Sequence, residues 1–459
     1  YRDIIKGASE LYTAREKRNY DDDKFNALGV KALNDSTLQI TLTKPYADFI
    51  DKDSLSFKKG FYQIENFQPA TQDVLKNVFN PLLQLLKKKK GNVRIGWFGD
   101  SLIEGDIFTQ DIRDILQRKF GGAGVGFVPI TNNVPHFRQS IGQDFSSNWK
   151  VYSLVDKSNA DKQIAAQGIG EEVFVPAYST DTSQVDTSGN VLPYKPSWVS
   201  FYGVKKEQTG LDKFYTVKLF YSHVNSAASV VVTKDGKTQT LKLEHGNDLH
   251  VLTLNSNSPI EKIKISFHLS SEIFVYGVSF EKENGVFVDD FSLRGASGMQ
   301  LSMMNTTLMN EFQNEMGYDL IVLHYGLNIA NENQKDYSAY QKQMKSTVEH
   351  LKACFPNAEI MIVSCSDRSK NVKAGTMRNL PEFVLMQEKL ASDEKISFWN
   401  LFEAMGGEGS MIAMVNSKEP LANKDYTHFK PLGGKYLAQY FCNSFLYEFN
   451  YYVWNKNKE

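Results

Sequence analysis

Apolar positions recur along this chain with two periods, and each change of period marks a change of structure. Val74, Val78, Leu82 and Leu85 stand at helical spacing. Lys87 to Lys90 follow as a solvated helix end, where positive charge suits the dipole. Gly91-Asn92 breaks that helix. Val93 to Phe98 (VRIGWF) then reads as a short apolar strand and Gly99-Asp100-Ser101 as a tight polar turn. Phe108, Ile112, Ile115 and Leu116 mark one face of a helix stopped by Gly121-Gly122. Strand, turn and helix in this order open an α/β unit.

Residues 130–284 keep a different period. Ile263, Ile265, Phe267 and Leu269 alternate with polar residues, and Phe274, Tyr276, Val278 and Phe280 repeat the pattern. Val230 to Thr233 and Thr238 to Leu243 flank Lys234-Asp-Gly-Lys237, whose Asp-Gly suits a tight hairpin. A structureless loop of this length is improbable, so the stretch is expected to be an inserted antiparallel β-sandwich. From Gly285 the first rhythm resumes. Strands are predicted at Val286 to Leu293, Asp319 to Tyr325, Ala358 to Ser364 and Ile396 to Trp399. Helices are predicted at Gln300 to Glu315, Tyr337 to Phe355, Pro381 to Ser392 and from Pro431 onward. Unbroken apolar strands alternating with amphipathic helices imply an α/β fold, its parallel sheet covered on both sides. Ahead of all this, residues 1–60 have no clear status. Tyr1 to Arg18 looks helical, and Leu28 to Pro45 reads as a hairpin turning at Asn34-Asp35.

Composition narrows the function. With 459 residues, about three structural units are expected. Lys+Arg 52 against Asp+Glu 53 gives a net charge of −1, which argues against nucleic-acid and anionic-membrane partners. No apolar run approaches the roughly 20 residues of a spanning helix. Cys354, Cys365 and Cys442 are too few for a disulfide framework and form no CxxC site. No HExxH occurs, and His136, His223, His245, His250 and His268 show no ligand spacing, so neither metal nor cofactor is expected. The absence of a starting Met and of a signal peptide suits a mature, trimmed or partial chain.

Ligands of an open parallel sheet bind at the carboxyl ends of its strands. Ser101 follows the first strand, Asn328 follows the strand ending at Tyr325, and Asp425 and His428 precede the last helix. A serine hydroxyl needs a base in hydrogen-bond reach, and the base needs an orienting partner. Asp425 and His428, three residues apart, share one side of a turn, so the carboxylate can hold one imidazole nitrogen while the other faces Ser101. Asn328 and the Ser101 backbone N–H can hold an oxyanion.

Gly99-Asp-Ser101-Leu, Gly326-Leu-Asn328 and Asp425-x-x-His428, in this order, resemble the SGNH (GDSL) hydrolases. The family also has an oxyanion glycine near its second strand; Arg294-Gly-Ala-Ser-Gly298 matches it, best at Gly298, with Gly295 second. The resemblance implies a three-layer α/β/α hydrolase with a flavodoxin-like sheet over 61–129 and 285–450. Phe98 to Asp106, Phe120 to Gly126, Leu323 to Asn328 and Ala404 to Gly407 look like the branch of peptidoglycan O-acetylesterases and O-acetyltransferases. That branch carries an inserted β-domain similar to a carbohydrate-binding module, here 130–284. Leu102 departs from it, since relatives often have Gln there. Residues 28–45 weakly resemble oligopeptide-binding proteins of ABC transporters, too short a stretch to carry a function.

The implied activity is a serine esterase acting on O-acetyl groups of a cell-wall glycan. Ser101, Asp425 and His428 would form the triad, and Ser101, Gly298 and Asn328 the oxyanion hole. An O-acetyltransferase using the same triad and an inactive glycan-binding protein are the alternatives. The acetylated glycan is the expected partner, and a periplasmic or secreted location follows from it. His428 must be neutral to act as base, so activity should rise with pH. Four further readings complete the expectations. His324 reads as a satisfied core histidine. Gly121 to Gly126 reads as a helix stop with close backbone approach. Trp149, Trp198, Tyr202 and Tyr221 read as core or surface with a chance of sugar stacking. Asp367 and Arg368 read as a surface pair or cleft lining.

Overall fold

Strands that are apolar on both faces end up in the middle of one sheet. The computed structural model describes residues 30–34, 37–40, 62–68, 75–132, 134, 137–156, 166–179, 194–204, 208, 210, 212 and 214–456. The chain divides into two units, Tyr1–Ser56 and Phe57–Glu459. In the first, Val30–Asn34 pairs antiparallel with Thr37–Ile40, the hairpin its alternation predicts. The helix expected over residues 1–18 and the turn residue Asp35 lie outside the described residues, as do Val74 and His136.

The second unit holds a six-stranded sheet built from β1 (Glu65–Asn66), β2 (Asn92–Gly99), β3 (Gly285–Ser292), β4 (Leu320–His324), β5 (Glu359–Val363) and β6 (Ser397–Trp399). Its order is β3-β2-β4-β5-β6-β1. The first five strands are parallel. Counted along the chain they run 2-1-3-4-5, the flavodoxin-like order, whose switch point lies between β2 and β4. The edge strand β1 is antiparallel to β6 and too short to show a period in the sequence. Between strands run α1 (Lys76–Lys88), α2 (Thr109–Phe120), α3 (Thr306–Met316), α4 (Ser338–Cys354) and α5 (Leu380–Glu394), and after β6 come α6 (Leu401–Met405), α7 (Ser410–Asn416) and α8 (Pro431–Lys456). Helices α1, α2 and α8 pack together, whereas α3, α4 and α5 pack in sequence. Right-handed crossovers with this strand order send α2 to one face and α3 to α5 to the other. Trp97 of β2 and Trp399 of β6 meet Phe441 of α8 edge to face, with centroids 4.9 and 5.3 Å apart.

The helix expected over Gln300 to Glu315 is two pieces. A 3-10 turn covers Met299–Met303, and α3 starts afresh because the Asn305 side chain accepts from Leu308 N–H as its cap. The glycine stretch after α2 behaves as a helix stop with close approach: a Cβ on Gly124 would lie 2.2 Å from the Phe280 carbonyl oxygen.

Residues between α2 and β3 form two antiparallel sheets. One contains Lys150–Ser153, Glu172–Val175, Phe274–Glu281, Phe214–Ser222 and His250–Ile260, with Gly126–Val128 paired to Phe274–Glu281. The other contains Ile141–Phe145, Trp198–Gly203, Lys262–Leu269, Ala228–Lys234 and Lys237–Lys242. They share one core, with Val217, Leu219, Val278 and Phe280 from the first and Phe201, Val230, Ile263, Ile265 and Phe267 from the second. Asp235 and Gly236 turn the predicted hairpin with positive φ at both positions. Trp149 packs edge to face on Phe267, Tyr221 is buried, and Lys264 Nζ lies 4.2 Å over the Trp198 ring. Tyr202 has Lys262 Nζ 5.7 Å from its ring. Among the described residues no helix is long and apolar enough to cross a membrane.

Candidate active site

The switch point between β2 and β4 gathers the polar residues that the chain scatters. Ser101 lies two residues beyond β2 and His428 three before α8, 327 positions apart, yet Ser101 Oγ is 2.9 Å from His428 Nε2. His428 Nδ1 is 2.8 Å from Asp425 Oδ2. Local sequence makes this meeting possible. The Asp425–His428 turn is closed by Thr427 N–H and His428 N–H, which both donate to Asp425 Oδ1 at 3.0 Å. Behind it, Gly433 and Gly434 let α8 press onto backbone. A Cβ on Gly434 would lie 2.0 Å from the Ile107 carbonyl oxygen, and one on Gly433 2.0 Å from that of Leu421. Ile107 belongs to the segment after Ser101, so these two glycines bring the histidine's helix onto the serine's loop.

Burial pushes the Asp425 carboxyl up, but hydrogen bonds from the His428 and Thr427 amides and from the imidazole outweigh it. The carboxyl is held below its usual range and stays ionised, as an orienting partner must.

Asn328 and the glycine segment are tied to the same place. Asn328 Nδ2 donates to the Ala296 carbonyl at 2.7 Å, which leaves its second N–H for another acceptor. Leu293 N–H donates to the Gly99 carbonyl at 3.1 Å and joins the glycine segment to the serine turn. Gly295 is exposed, immediately after Arg294, with φ +83. Gly298 is buried, with φ +87, against Tyr325 and Met344. Neither glycine lines the cleft described below.

Two residues brace these loops in a way the sequence did not show. Asp100 is buried; its Oδ1 accepts from Leu102 N–H at 3.0 Å and its Oδ2 from Leu327 N–H at 3.3 Å. One side chain thereby joins the serine turn to the asparagine loop. Burial raises its carboxyl to about 6 against the pull of those amides. Arg368 Nη1 donates to the Leu327 carbonyl at 2.6 Å and supports the same loop. Arg368 is therefore not half of a surface pair. Its neighbour Asp367 is buried and accepts from Met411 N–H at 2.9 Å. His324 is a core histidine, but a half-satisfied one: Trp97 Nε1 donates to its Nδ1 at 3.3 Å, and its Nε2 has no partner. Burial lowers it to about 3, so it is neutral.

Ser101, Asp425 and His428 open onto a cleft of about 600 Å³. Leu102, Glu104, Gly105, Ile107 and Gln110 line it from the serine side, Asn423 and Lys430 from the histidine side, Arg294 from the end of β3, and Phe137 and Gln139 from the segment after Ile130. Sequence reasoning missed Phe137 and Gln139, which no periodic pattern marks. Arg294 did carry a signal, its place beside Gly295.

No protein-family model matches the sequence, and no curated protein matches it. Solved structures do. A structure of a peptidoglycan O-acetylesterase aligns with a TM-score of 0.65 at 21% identity, over 84% of this chain and 99% of that one. The chain shares that structure's fold. A carbohydrate esterase family 2 enzyme from Corynascus thermopiles (Myceliophthora fergusii) gives a TM-score of 0.27 at 10% identity, over 58% of this chain and 98% of that one. The acetyl xylan esterase AlAXEase gives 0.28 at 13%, over 35% and 81%. Likenesses at those two scores carry no argument.

Proposed function

We propose that this protein is an SGNH-type serine esterase that removes O-acetyl groups from a carbohydrate, a cell-wall glycan such as peptidoglycan. The observation that carries the reading is the hydrogen-bonded relay Ser101–His428–Asp425, at 2.9 and 2.8 Å. The fold shared with the peptidoglycan O-acetylesterase supports it. On this reading 61–129 and 285–450 make a three-layer α/β/α hydrolase, and 130–284 an inserted module similar to carbohydrate-binding ones.

Ser101 Oγ attacks the acetyl carbonyl while its proton passes to His428 Nε2. Asp425 fixes the imidazole with Nδ1 protonated and stabilises the imidazolium that forms. The Ser101 N–H, the Gly298 N–H and the free N–H of Asn328 hold the oxyanion, each worth about 10²–10³ in rate. Gly295 is the alternative to Gly298. Imidazolium then protonates the departing sugar oxygen. Water, activated by neutral His428, cleaves the acetyl-serine and frees acetate. No cofactor enters these steps. A periplasmic or secreted location follows from the substrate.

Acetate release from O-acetylated peptidoglycan tests the proposal. Ser101→Ala should lower it about 10³-fold or more. Equal rates in variant and wild type would remove Ser101 as nucleophile. Acetylated glycan accumulating faster than free acetate would turn the assignment to an O-acetyltransferase.

A further inference from the structure

The charges of the cleft are unevenly satisfied. Both of its carboxylates are engaged: Asp425 holds His428, and Glu104 accepts from Arg294 Nε at 3.1 Å and from Arg294 Nη2. Its two cations keep donors to spare. Arg294 Nη1 has no partner among the described residues, and the side chain is 59% exposed although anchored by Glu104. Lys430 also lines the cleft, and among the described residues its Nζ makes no hydrogen bond or ion pair.

Two neutral residues add shape. Phe137 is 41% exposed in the cleft, and its ring packs so close to Gly105 that a Cβ there would lie 2.5 Å from it. An open aromatic face of this kind suits a sugar ring. Gln110 is only 3% exposed, lines the cleft, and its Oε1 accepts no hydrogen bond. A buried acceptor without a donor is costly unless a ligand supplies one, and a sugar hydroxyl does.

We infer that the cleft selects an acidic sugar, whose carboxylate is read by Arg294 and Lys430 while the ring rests on Phe137 and a hydroxyl donates to Gln110. The inference rests on the esterase reading and narrows it to esters of anionic glycans. A guanidinium held rigidly by Glu104, with Nη1 left over, is preorganised for a carboxylate oxygen. A neutral glycan would leave Arg294 Nη1 and Lys430 Nζ without a carboxylate to meet.

The test compares O-acetylated polymannuronate with O-acetylated mannan oligosaccharides of equal length and acetylation, which differ in the carboxylate. Wild-type protein should favour the acidic substrate at least tenfold in kcat/KM. Arg294→Ala should reduce that preference tenfold to a hundredfold, chiefly through KM. Arg294→Lys should restore part of it, and Lys430→Gln should reduce it less. Calorimetric binding of the deacetylated oligomers to the Ser101→Ala protein reads the subsite without catalysis. Binding should be confined to the acidic oligomer and should weaken from 50 to 500 mM salt, as about a threefold shorter screening length requires. Equal use of both substrates by wild type would overturn the inference. So would an Arg294→Ala loss that is the same on both, since that is the mark of a structural role. Hydrolysis of 4-nitrophenyl acetate by wild type reports on the esterase reading separately. If it is absent while acidic oligomers still bind through Arg294, the esterase reading fails and the acidic subsite stands.

Discussion

Replacing Asp100 with Asn asks whether one buried carboxylate sets the geometry of the whole site. Asp100 accepts two amides, Leu102 N–H at 3.0 Å and Leu327 N–H at 3.3 Å, through different oxygens. Asparagine has a single acceptor oxygen, and its NH₂ must face one of those amides. A buried amide left without an acceptor costs about 1–3 kcal/mol. The chain can relieve that cost only by moving the Leu102 side, which carries Ser101, or the Leu327 side, which carries Asn328. Misplacement of reacting groups by about 1 Å lowers rate about a hundredfold. Asp100→Asn should therefore cost tenfold to a hundredfold in kcat on a small aryl acetate, with KM little changed, and lower the thermal unfolding midpoint. The assay is steady-state kinetics alongside thermal unfolding of the same preparation. Wild-type kcat with an unchanged midpoint would refute the bracing role. A lowered midpoint with wild-type kcat would confine Asp100 to stability.

The remaining predictions share the same assays. Asp425→Asn keeps the shape of the relay but permits the wrong imidazole tautomer, so kcat should fall about 10⁴-fold with an intact fold; a loss under tenfold would leave His428 without need of Asp425. Stability should decline as pH rises from 5 to 8. Burial raises Asp100, Asp111 and Asp319 to about 6 and Glu171 to about 7, so the support they give is complete below their unfolded values near 4 and is lost as pH passes through 6 to 7. Asp425 and Glu281 are shifted down and stay ionised across that window; His324, lowered to about 3, works the other way as the unfolded imidazole loses its proton near 6.5, and this one group offsets only part of the decline from four carboxyls. A midpoint that rises from pH 5 to 8 would contradict it. Asp106→Ala should cost about 3–5 kcal/mol by stranding the fully buried Arg113, measured by denaturant unfolding; a cost under 1 kcal/mol would show the network dispensable.

What could be read from the chain was whatever a local pattern encodes. The strands β2, β4 and β5 are unbroken apolar runs, and burial on both faces is what such runs require. Asp425 and His428 lie within one turn, so their spacing already implied their contact. Ser101 and His428 do not, and their meeting depends on Gly433 and Gly434 packing against distant backbone. Phe274–Glu281 shows the limit of alternation. Read as one buried face and one open one, it is buried on both, and a register shift at Tyr276 breaks the alternation: Val275, Val278 and Phe280 enter the sandwich core while Tyr276 packs against Phe312 of α3. Bracing roles such as that of Arg368 on Leu327 left no trace in sequence, because a hydrogen bond to a carbonyl asks nothing of the residue that owns the carbonyl.

The two antiparallel sheets meet the six-stranded sheet and α3 through aromatic contacts and through buried charge, and the charged part of that joint reaches the cleft. Arg94 of β2 bonds Glu281 at 2.5 Å and Asp289 of β3 at 2.7 Å, all three buried. Asp289 Oδ1 also accepts from Phe127 N–H at 2.8 Å. Nearer the serine, Asp106 pairs with Arg113 at 2.7 Å and Arg138 at 3.1 Å and accepts from Ser140 Oγ at 2.5 Å. Burial disfavours charge on Asp106, but the two guanidiniums outweigh it and keep the carboxyl ionised. Desolvating so many charges gains little stability, since apolar residues of the same volume would serve as well. What the network supplies is register. Arg138 and Ser140 flank Gln139 and follow Phe137, and both of the latter line the cleft. Asp106 belongs to the turn that carries Glu104 and Gly105, which line it too. One buried carboxylate therefore fixes the wall that holds Phe137 and Gln139 against the loop after Ser101. On the proposed esterase reading, Asp106 thus couples the wall that would meet the glycan to the loop of Ser101, and a change in how that wall seats should alter KM for glycans before it alters kcat.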